Sequence, residues 1–182
     1  MPQTRPQISR DEKTAEILDL AQRRLREQGY DGLSVAGLAR DLGVAQNAVY
    51  WYFPSKDHLF VAALRGMLAE VAARKPSHEE ADEVERILWF TDQFQELSDL
   101  RAAMRERART SEVVADFVRE LDELLSRMLS NALSDRIAAD ELPLAVETFR
   151  ATVEGTVVKG LDRDERRRVL SFALSRLIGD AI

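Results

Sequence analysis

The chain has 182 residues, of which 45% are hydrophobic and 32% are charged, and it contains no cysteine. This length and apolar fraction suffice for one or two small domains with a real core, and they argue against disorder. The missing cysteines exclude a disulfide framework and a thiolate metal site. No run of residues has the apolar length of a signal sequence or a membrane span, so we expect a cytoplasmic protein with no membrane partner.

Charge is distributed unevenly along the chain. The formal net charge of −6 at first argues against a partner that carries phosphate. The first 56 residues, however, carry eight basic and seven acidic side chains and so a net charge of +1, while the remainder carries −7. Because affinity for phosphate depends on local charge, the acidic C-terminal part does not exclude nucleic-acid binding.

The first predicted helix begins after Ser9. The spacing from Ser9 to Glu12 is that of a capping box, and Gly29 has the character of a residue just past a helix end. Arg10 and Lys13 in the first turn are placed where they could reach a phosphate group, although a merely solvated helix end fits them equally well.

Residues 38–56 have the pattern of a helix-turn-helix. A short helix, which Ser34 can cap, stops at Gly43, and a second helix begins within two residues. Pro54 ends that second helix, because the residue before a proline is pushed out of the helical region. Ser55 can cap the next helix. We call the helix between Gly43 and Pro54 the reader helix.

One side of the reader helix is predicted to dock and the other to face outward. At about 100° per residue, Val49 and Phe53 share one side, and Asn47 and Trp51 point nearly opposite. The outward side has carboxamides and aromatic rings but no carboxylate, which suits base edges and phosphate groups. The alternative is that residues 50–53 are core aromatics, but four consecutive helical residues cannot all point inward.

These residues carry a family resemblance. They are Gly29-Tyr30-Asp31-Gly32-Leu33-Ser34-Val35, Leu38-Ala39, Leu42-Gly43-Val44, Val49-Tyr50-Trp51-Tyr52-Phe53, Lys56 and Leu59. The pattern resembles the DNA-binding domain of the TetR family of transcriptional regulators and covers about the first third of the chain. It implies a homodimeric repressor that a small ligand releases from its double-stranded DNA operator.

The resemblance also implies a set of DNA-binding residues. They are Ser34, Val35, Ala45, Gln46, Asn47, Ala48, Tyr50, Trp51, Tyr52 and Lys56. Three of them depart from the common family pattern, which usually has Ser at Ala45, a small residue or Pro at Asn47, and often His at Tyr52. The first departure removes an N-cap worth about 0.5–2 kcal/mol. The other two alter the surface offered to the operator.

The predicted fold is all-α. Residues 1–56, with an arm over about 1–9, form a three-helix helix-turn-helix DNA-binding domain, and residues 57–182 form a helical effector-binding and dimerisation domain. A long helix over 55–75 resembles the family's connector between the two. Capping boxes at Ser77-x-x-Glu80 and Asp162-x-x-Glu165 and a proline at Pro143 mark the starts of later helices.

Apolar and aromatic residues lie on the helices that enclose the effector cavity in the family. They are Leu64, Met67, Leu68, Trp89, Phe90, Phe94, Met104, Phe117, Leu121 and Met128. Each one taken alone fits a core position better than a ligand contact. If they line a cavity, its aromatic and methionine content favours a hydrophobic or amphipathic effector.

The last two predicted helices carry apolar stripes that either pack on a core of their own or pair with a second copy. The family places its dimer interface here, and a helix-turn-helix reader ordinarily needs two half-sites, so we favour a homodimer on a palindromic operator. The expected interface residues are Phe149, Val153, Val157, Leu170, Leu174 and Leu177.

Two other classes of function compete with a regulator. An enzyme would need clustered catalytic or metal-binding groups, but the two histidines, His58 and His78, stand apart, and no hydrolase, zinc or phosphate-loop motif is present. We therefore expect no catalysis, metal or cofactor. The remaining alternatives are a dimeric ligand-binding protein without operator function and a TetR-type activator.

Overall fold

The computed structural model describes residues 9–77, 81, 83–95 and 98–179. Within these residues the chain forms nine helices, in agreement with the predicted all-α fold. They are α1 (Arg10–Gly32), α2 (Val35–Asp41), α3 (Gln46–Tyr52), α4 (Lys56–Ala73), α5 (Glu83–Gln95), α6 (Ser98–Ala108), α7 (Glu112–Leu133), α8 (Leu142–Val158) and α9 (Arg163–Leu177). In this described part no helix is long and apolar enough to cross a membrane.

The chain divides into two compact units. The first unit comprises Met1–Glu70 and Asp99–Phe117, and the second comprises Val71–Ser98 and Val118–Ile182. The first unit thus contains α6 and the beginning of α7 as well as the helix-turn-helix. The boundary predicted after residue 56 stays a prediction.

Helix α1 begins at a capping box and is interrupted at a glycine. The Glu12 backbone N–H donates to the Ser9 hydroxyl at 3.1 Å, and the Ser9 N–H donates to the Glu12 carboxylate at 2.8 Å, which is the predicted capping box. Gly29 has a φ of 65° and breaks the helical run before its last turn. Gly32 has no room for a side chain, because an added Cβ would lie 2.2 Å from the Cβ of Gln28.

The turn between α2 and α3 follows the predicted chemistry. The Ser34 hydroxyl accepts the Gly37 backbone N–H at 3.2 Å and caps α2. Gly43 has a φ of 63°, the left-handed conformation that the turn needs. Ala45 occupies the N-cap of α3 and provides no side-chain hydrogen bond, so the reader helix lacks a cap from this residue at its start.

The first unit is held together by an apolar core that all of its helices up to α4 share. Its fully buried members include Ile17, Leu25, Leu38, Val49 and Phe60. Helices α1 and α4 approach closely, since a Cβ added at Gly66 would lie 2.1 Å from the Gln22 side-chain nitrogen. An ion pair of 2.6 Å between Arg26 and Glu70 joins the same two helices.

The second unit has its own apolar core from α5, α7, α8, α9 and the turn after α7. Its buried members are Ile87, Leu88, Leu133, Ile137, Ala145, Val146, Phe149, Leu170 and Leu174. The predicted capping box opens α9, where the Glu165 N–H donates to Asp162 at 2.9 Å. Pro143 stands in the first turn of α8, as predicted. Glu80 and His78 lie outside the described residues.

This second core corrects the predicted dimer interface at three positions. Phe149, Leu170 and Leu174 have at most 1% of their surface exposed within the single chain. A side chain that is fully covered by its own chain offers no surface to a second copy, so these three are core residues. Val153, Val157 and Leu177 are partly buried. The exposed apolar side chains of α8 and α9 are instead Leu144, Val158, Val169 and Phe172.

An ionic cluster lies between α5 and α9 in the second unit. The Asp92 carboxylate accepts hydrogen bonds from Arg166 Nη2 at 3.2 Å and from Arg163 Nε at 3.3 Å, and Arg167 Nη1 lies 3.9 Å away. The side chains of Asp92 and Arg166 are 8% and 6% exposed, so this part of the cluster is withdrawn from water. The buried Asp92 carboxylate therefore contacts one buried arginine, Arg166, and two arginines that are more exposed, of which Arg167 is also paired with Glu85.

Candidate DNA-binding surface

The reader helix α3 presents a polar and aromatic face to solvent. Gln46, Asn47 and Ala48 are exposed. Val49 is fully buried and Phe53, just past the helix, is 8% exposed, so they hold the helix against the rest of the unit. The inward and outward sides are those that the helical spacing predicts.

The aromatic residues of α3 do not form a core cluster. Trp51 is 63% exposed and Tyr50 is 39% exposed, while Tyr52 is half-buried. The rings of Trp51 and Tyr52 meet edge to face with centroids 4.9 Å apart. The guanidinium of Arg10, at the start of α1, lies over the Trp51 ring at 4.6 Å from its centroid.

The structure corrects one predicted DNA contact on α2. Val35 has only 6% of its surface exposed and belongs to the core of the first unit, so it cannot meet a nucleic acid directly. Its neighbour Ser34 is exposed, and its hydroxyl already caps α2. The pattern of the family resemblance could not separate these two roles, because both residues stand at the same helix start.

The start of α4 places a lysine beside the reader helix. The Ser55 hydroxyl accepts the His58 backbone N–H at 3.2 Å and contacts the His58 ring nitrogen at 2.8 Å, so Ser55 caps α4 as predicted. The Lys56 ammonium lies 3.9 Å from the centroid of the Tyr30 ring. Burial lowers the pKa of Lys56, and the neighbouring carboxylates of Asp31 and Asp57 partly offset that effect.

A buried carboxylate stands directly after this lysine. The Tyr30 hydroxyl donates to Asp57 at 2.6 Å, and Arg107 donates to both carboxylate oxygens, at 2.6 Å from Nη2 and 3.2 Å from Nε. Burial alone would raise the pKa of Asp57, but hydrogen bonds from Arg107, Tyr30 and Ser111 outweigh it and lower the pKa to about 2. Burial and the hydrogen bond to Asp57 raise the pKa of Tyr30 to about 12.

This Tyr30–Asp57–Arg107 cluster joins the end of α1, the start of α4 and the end of α6 within the first unit. It is absent from the sequence-based predictions. Arg107 is 50 residues from Asp57, and no periodicity or motif connects the two positions. The cluster holds the residue next to Lys56 in a fixed place, which makes the position of that lysine well defined.

The cations of α1 and the lysine at the start of α4 differ in their partners. Four on α1 are bound to carboxylates: Lys13 to Glu16 at 2.7 Å, Arg26 to Glu70 at 2.6 Å, Arg23 to Asp19, and Arg24 to Asp41. Arg10 and Lys56 instead lie over the aromatic rings of Trp51 and Tyr30. The described residues contain no cluster of three or more side chains that could hold a metal ion.

The predicted effector residues divide between the units. In the first unit, Leu64, Met67, Met104 and Phe117 are at most 7% exposed and pack as core, and Leu68 is partly buried. In the second unit, Trp89, Phe90, Leu121 and Met128 are partly buried. The side chain of Phe94 lies outside the described residues. The effector pocket stays a prediction.

The geometry defines a helix-turn-helix whose second helix, α3, presents an exposed polar and aromatic face. Residues 17–63 match the sequence profile of "Bacterial regulatory proteins, tetR family". The chain is 33% identical over 135 residues to HTH-type transcriptional repressor Rv1474c of Mycobacterium tuberculosis, covering 72% of this chain and 70% of that protein. It is 29% identical over 170 residues to HTH-type transcriptional repressor AcnR of Corynebacterium diphtheriae, with 86% and 87% of the two chains covered.

Solved structures show the same fold. A transcriptional regulator from Rhodococcus sp. Rha1 superimposes with a TM-score of 0.74 at 22% identity, over 93% of this chain and 98% of that one. A regulator from Saccharomonospora viridis, solved in complex with choline, superimposes with a TM-score of 0.71 at 17% identity over 89% and 95%. The chain belongs to the TetR family of bacterial regulatory proteins. It is a DNA-binding transcriptional repressor and not an enzyme, as predicted.

Proposed function

We propose that this repressor binds a palindromic operator as a homodimer in the cytoplasm and that a small hydrophobic or amphipathic ligand releases it. The observation that carries the proposal is the exposed face of α3, where two carboxamides and an indole stand without any carboxylate. A surface of this kind is complementary to base edges and repels no phosphate.

Base reading and backbone holding are assigned to different residues. Gln46 and Asn47 are exposed in the first turn of α3, the part that enters the major groove in this docking geometry, and their carboxamides match adenine edges. Lys56 stands at the start of α4, beyond Pro54, and is assigned to a phosphate group. The remaining exposed residues, Ala45, Ala48, Tyr50 and Ser34, border the same contact.

The two assignments predict different failures. Gln46→Ala should weaken binding to the operator by about 1–3 kcal/mol, relax preference at one base position and leave the salt dependence unchanged. Lys56→Ala should weaken binding to every duplex and reduce the salt slope by about one unit per half-site. The measurement is affinity against the logarithm of salt concentration on operator and scrambled duplexes. Equal losses on both duplexes for Gln46→Ala would make Gln46 a backbone contact.

The dimer is assigned to the exposed apolar residues of α8 and α9. Val158 is 74% exposed and Phe172 is 54% exposed in the single chain, which is costly surface unless a partner covers it. Val158→Arg should give folded monomers, because the arginine would be buried in the dimer only. Leu124→Arg, at an apolar position of 45% exposure on α7, is the matched control. A Val158→Arg dimer of unchanged size in sedimentation would contradict this interface.

The effector is assigned by chemistry alone. Aromatic and methionine side chains favour an apolar or amphipathic ligand, and choline, which the Saccharomonospora viridis regulator holds, is a reasonable first probe for aromatic rings. A ligand that binds only the folded state raises the melting temperature, so a thermal-shift screen identifies it. Linkage then requires operator DNA to weaken effector binding by the factor by which effector weakens operator binding. Equal effector affinity with and without operator would contradict release.

A further inference from the structure

We propose that Arg10 is a contact to the DNA backbone and that Trp51 is the residue that positions its guanidinium for that contact. The inference rests on the proposed role of α3 as the reader helix. It adds a cation that the resemblance to the family did not supply, and it gives the exposed indole of α3 a role other than base reading.

The first support is the isolation of Arg10 from carboxylates. The other four cations of α1 are each bound to an aspartate or glutamate. Among the described residues, Arg10 has no such partner, and its guanidinium lies on the face of the Trp51 ring at 4.6 Å. Its charge is therefore available to phosphate, whereas the charges of its neighbours on the helix are already balanced.

The second support is the geometry of a guanidinium on a ring. A guanidinium held over an indole uses its face, while its N–H donors point outward in its own plane. Those donors match the two oxygens of a phosphate group. Because Trp51 is 63% exposed on the outward face of α3, the stacked guanidinium lies beside the surface that enters the groove.

The third support is that the backbone of Arg10 is fixed. Arg10 is the first residue of α1, directly after the reciprocal hydrogen bonds between Ser9 and Glu12. With both the helix start and the ring in place, little side-chain freedom is left to lose when DNA binds. An exposed stacked cation stabilises a fold only weakly, so removing it should leave the fold intact.

The experiment measures affinity against the logarithm of salt concentration for Arg10→Ala, Trp51→Ala, the double variant and Trp51→Phe. The probes are a duplex enriched by the wild-type protein from a random-sequence library and a scrambled duplex of the same length. Arg23→Ala is the matched control, because it removes the same charge from α1 but at a position bound to Asp19. Circular dichroism verifies that each variant keeps its helical content.

Arg10→Ala should weaken binding to both duplexes and reduce the salt slope by about 0.9 for each phosphate group that the protein no longer neutralises, while Arg23→Ala leaves the slope as it is in the wild type. Trp51→Ala should reduce the slope by the same amount, and the double variant should show no further reduction. Trp51→Phe should retain the wild-type slope, because a ring face remains for the guanidinium.

Two results would overturn the inference while leaving the proposed function intact. One is an Arg10→Ala slope equal to that of Arg23→Ala, which would make Arg10 a solvated charge. The other is a Trp51→Ala variant that loses affinity only for the enriched duplex at an unchanged slope, which would make Trp51 a base reader. If the wild-type protein enriches no sequence at all, the proposed function fails, and this inference fails with it.

Discussion

Among the described residues, each unit has one buried carboxylate bound by arginine, and the two sites are built differently. In the first unit, Asp57 is held by the neutral hydroxyl of Tyr30 and by Arg107, whose side chain is 36% exposed. In the second unit, Asp92 is held by three arginines, of which Arg166 is only 6% exposed. If the carboxylate is removed, the arginine left behind can therefore be hydrated in the first unit, but not in the second.

This difference in the exposure of the arginines indicates which of the two carboxylates contributes more to the stability of the fold. Removing one member of an ion pair costs most where the remaining charge stays buried, because that charge then has neither water nor a counter-ion. The Nε of Arg166 has no hydrogen-bond partner in the described part of the chain, so this guanidinium already relies on Asp92. The cluster around Asp92 secures α9 against α5, whereas the cluster around Asp57 joins the start of α4 to α1 and α6.

The largest expected effect is that of Asp92→Ala. The substitution leaves Arg166 buried and unpaired, and we expect a loss of about 3–5 kcal/mol in the free energy of unfolding. Urea titration at an unchanged m-value measures it. Asp122→Ala is the control, since Asp122 is 55% exposed and its ion pair with Arg150 should contribute about 0–1 kcal/mol. Equal losses for the two variants would show that Arg166 does not depend on Asp92.

An intermediate effect is expected for Asp57→Asn. A pKa of about 2, against an ordinary value of 3.8, corresponds to roughly 2 kcal/mol of stability, and solvent around the half-exposed Arg107 makes this an upper limit. Because the folded pKa is lowered, this stability is complete above about pH 4 and is lost as the pH falls toward 2. The unfolding free energies of wild type and Asp57→Asn should therefore converge on acidification. A gap that persists at pH 2 would contradict this origin.

The smallest expected effect is that of Arg163→Ala. Arg163 is 74% exposed, and Asp92 keeps its contacts to Arg166 and Arg167 when it is removed. We expect a change of at most about 0.5 kcal/mol in the unfolding free energy. A loss as large as that of Asp92→Ala would mean that the three arginines act as one unit and that the buried pair is not the dominant contact.

Local patterns predicted several helix starts, although α1 continues past the predicted end at Gly29 to Gly32. The boxes at Ser9–Glu12 and Asp162–Glu165, the cap at Ser34 and the turn at Gly43 all involve groups within four residues of each other, so the sequence contains the whole interaction. The exposed face of α3 followed from the helical repeat in the same way.

Interactions between distant residues could not be predicted in this manner. Arg166 and Asp92 are 74 residues apart, and Arg107 and Asp57 are 50 apart, so no local spacing pairs them. The helical repeat likewise predicted that α8 and α9 carry apolar stripes. It did not predict which residues of each stripe pack into the chain's own core. That is why the sequence pattern placed Phe149 in the dimer interface although it is buried within the chain.

The ion pairs of α1 have a consequence for how the repressor finds its site on a chromosome. A genome offers about 10⁶–10⁹ competing non-specific sites, and occupancy of these sites rises with every free cation that a protein presents to phosphate. Four cations of α1 are already bound to carboxylates of the same chain. We therefore expect short residence times on random DNA. A small number of repressor molecules can then sample many sites before they reach an operator.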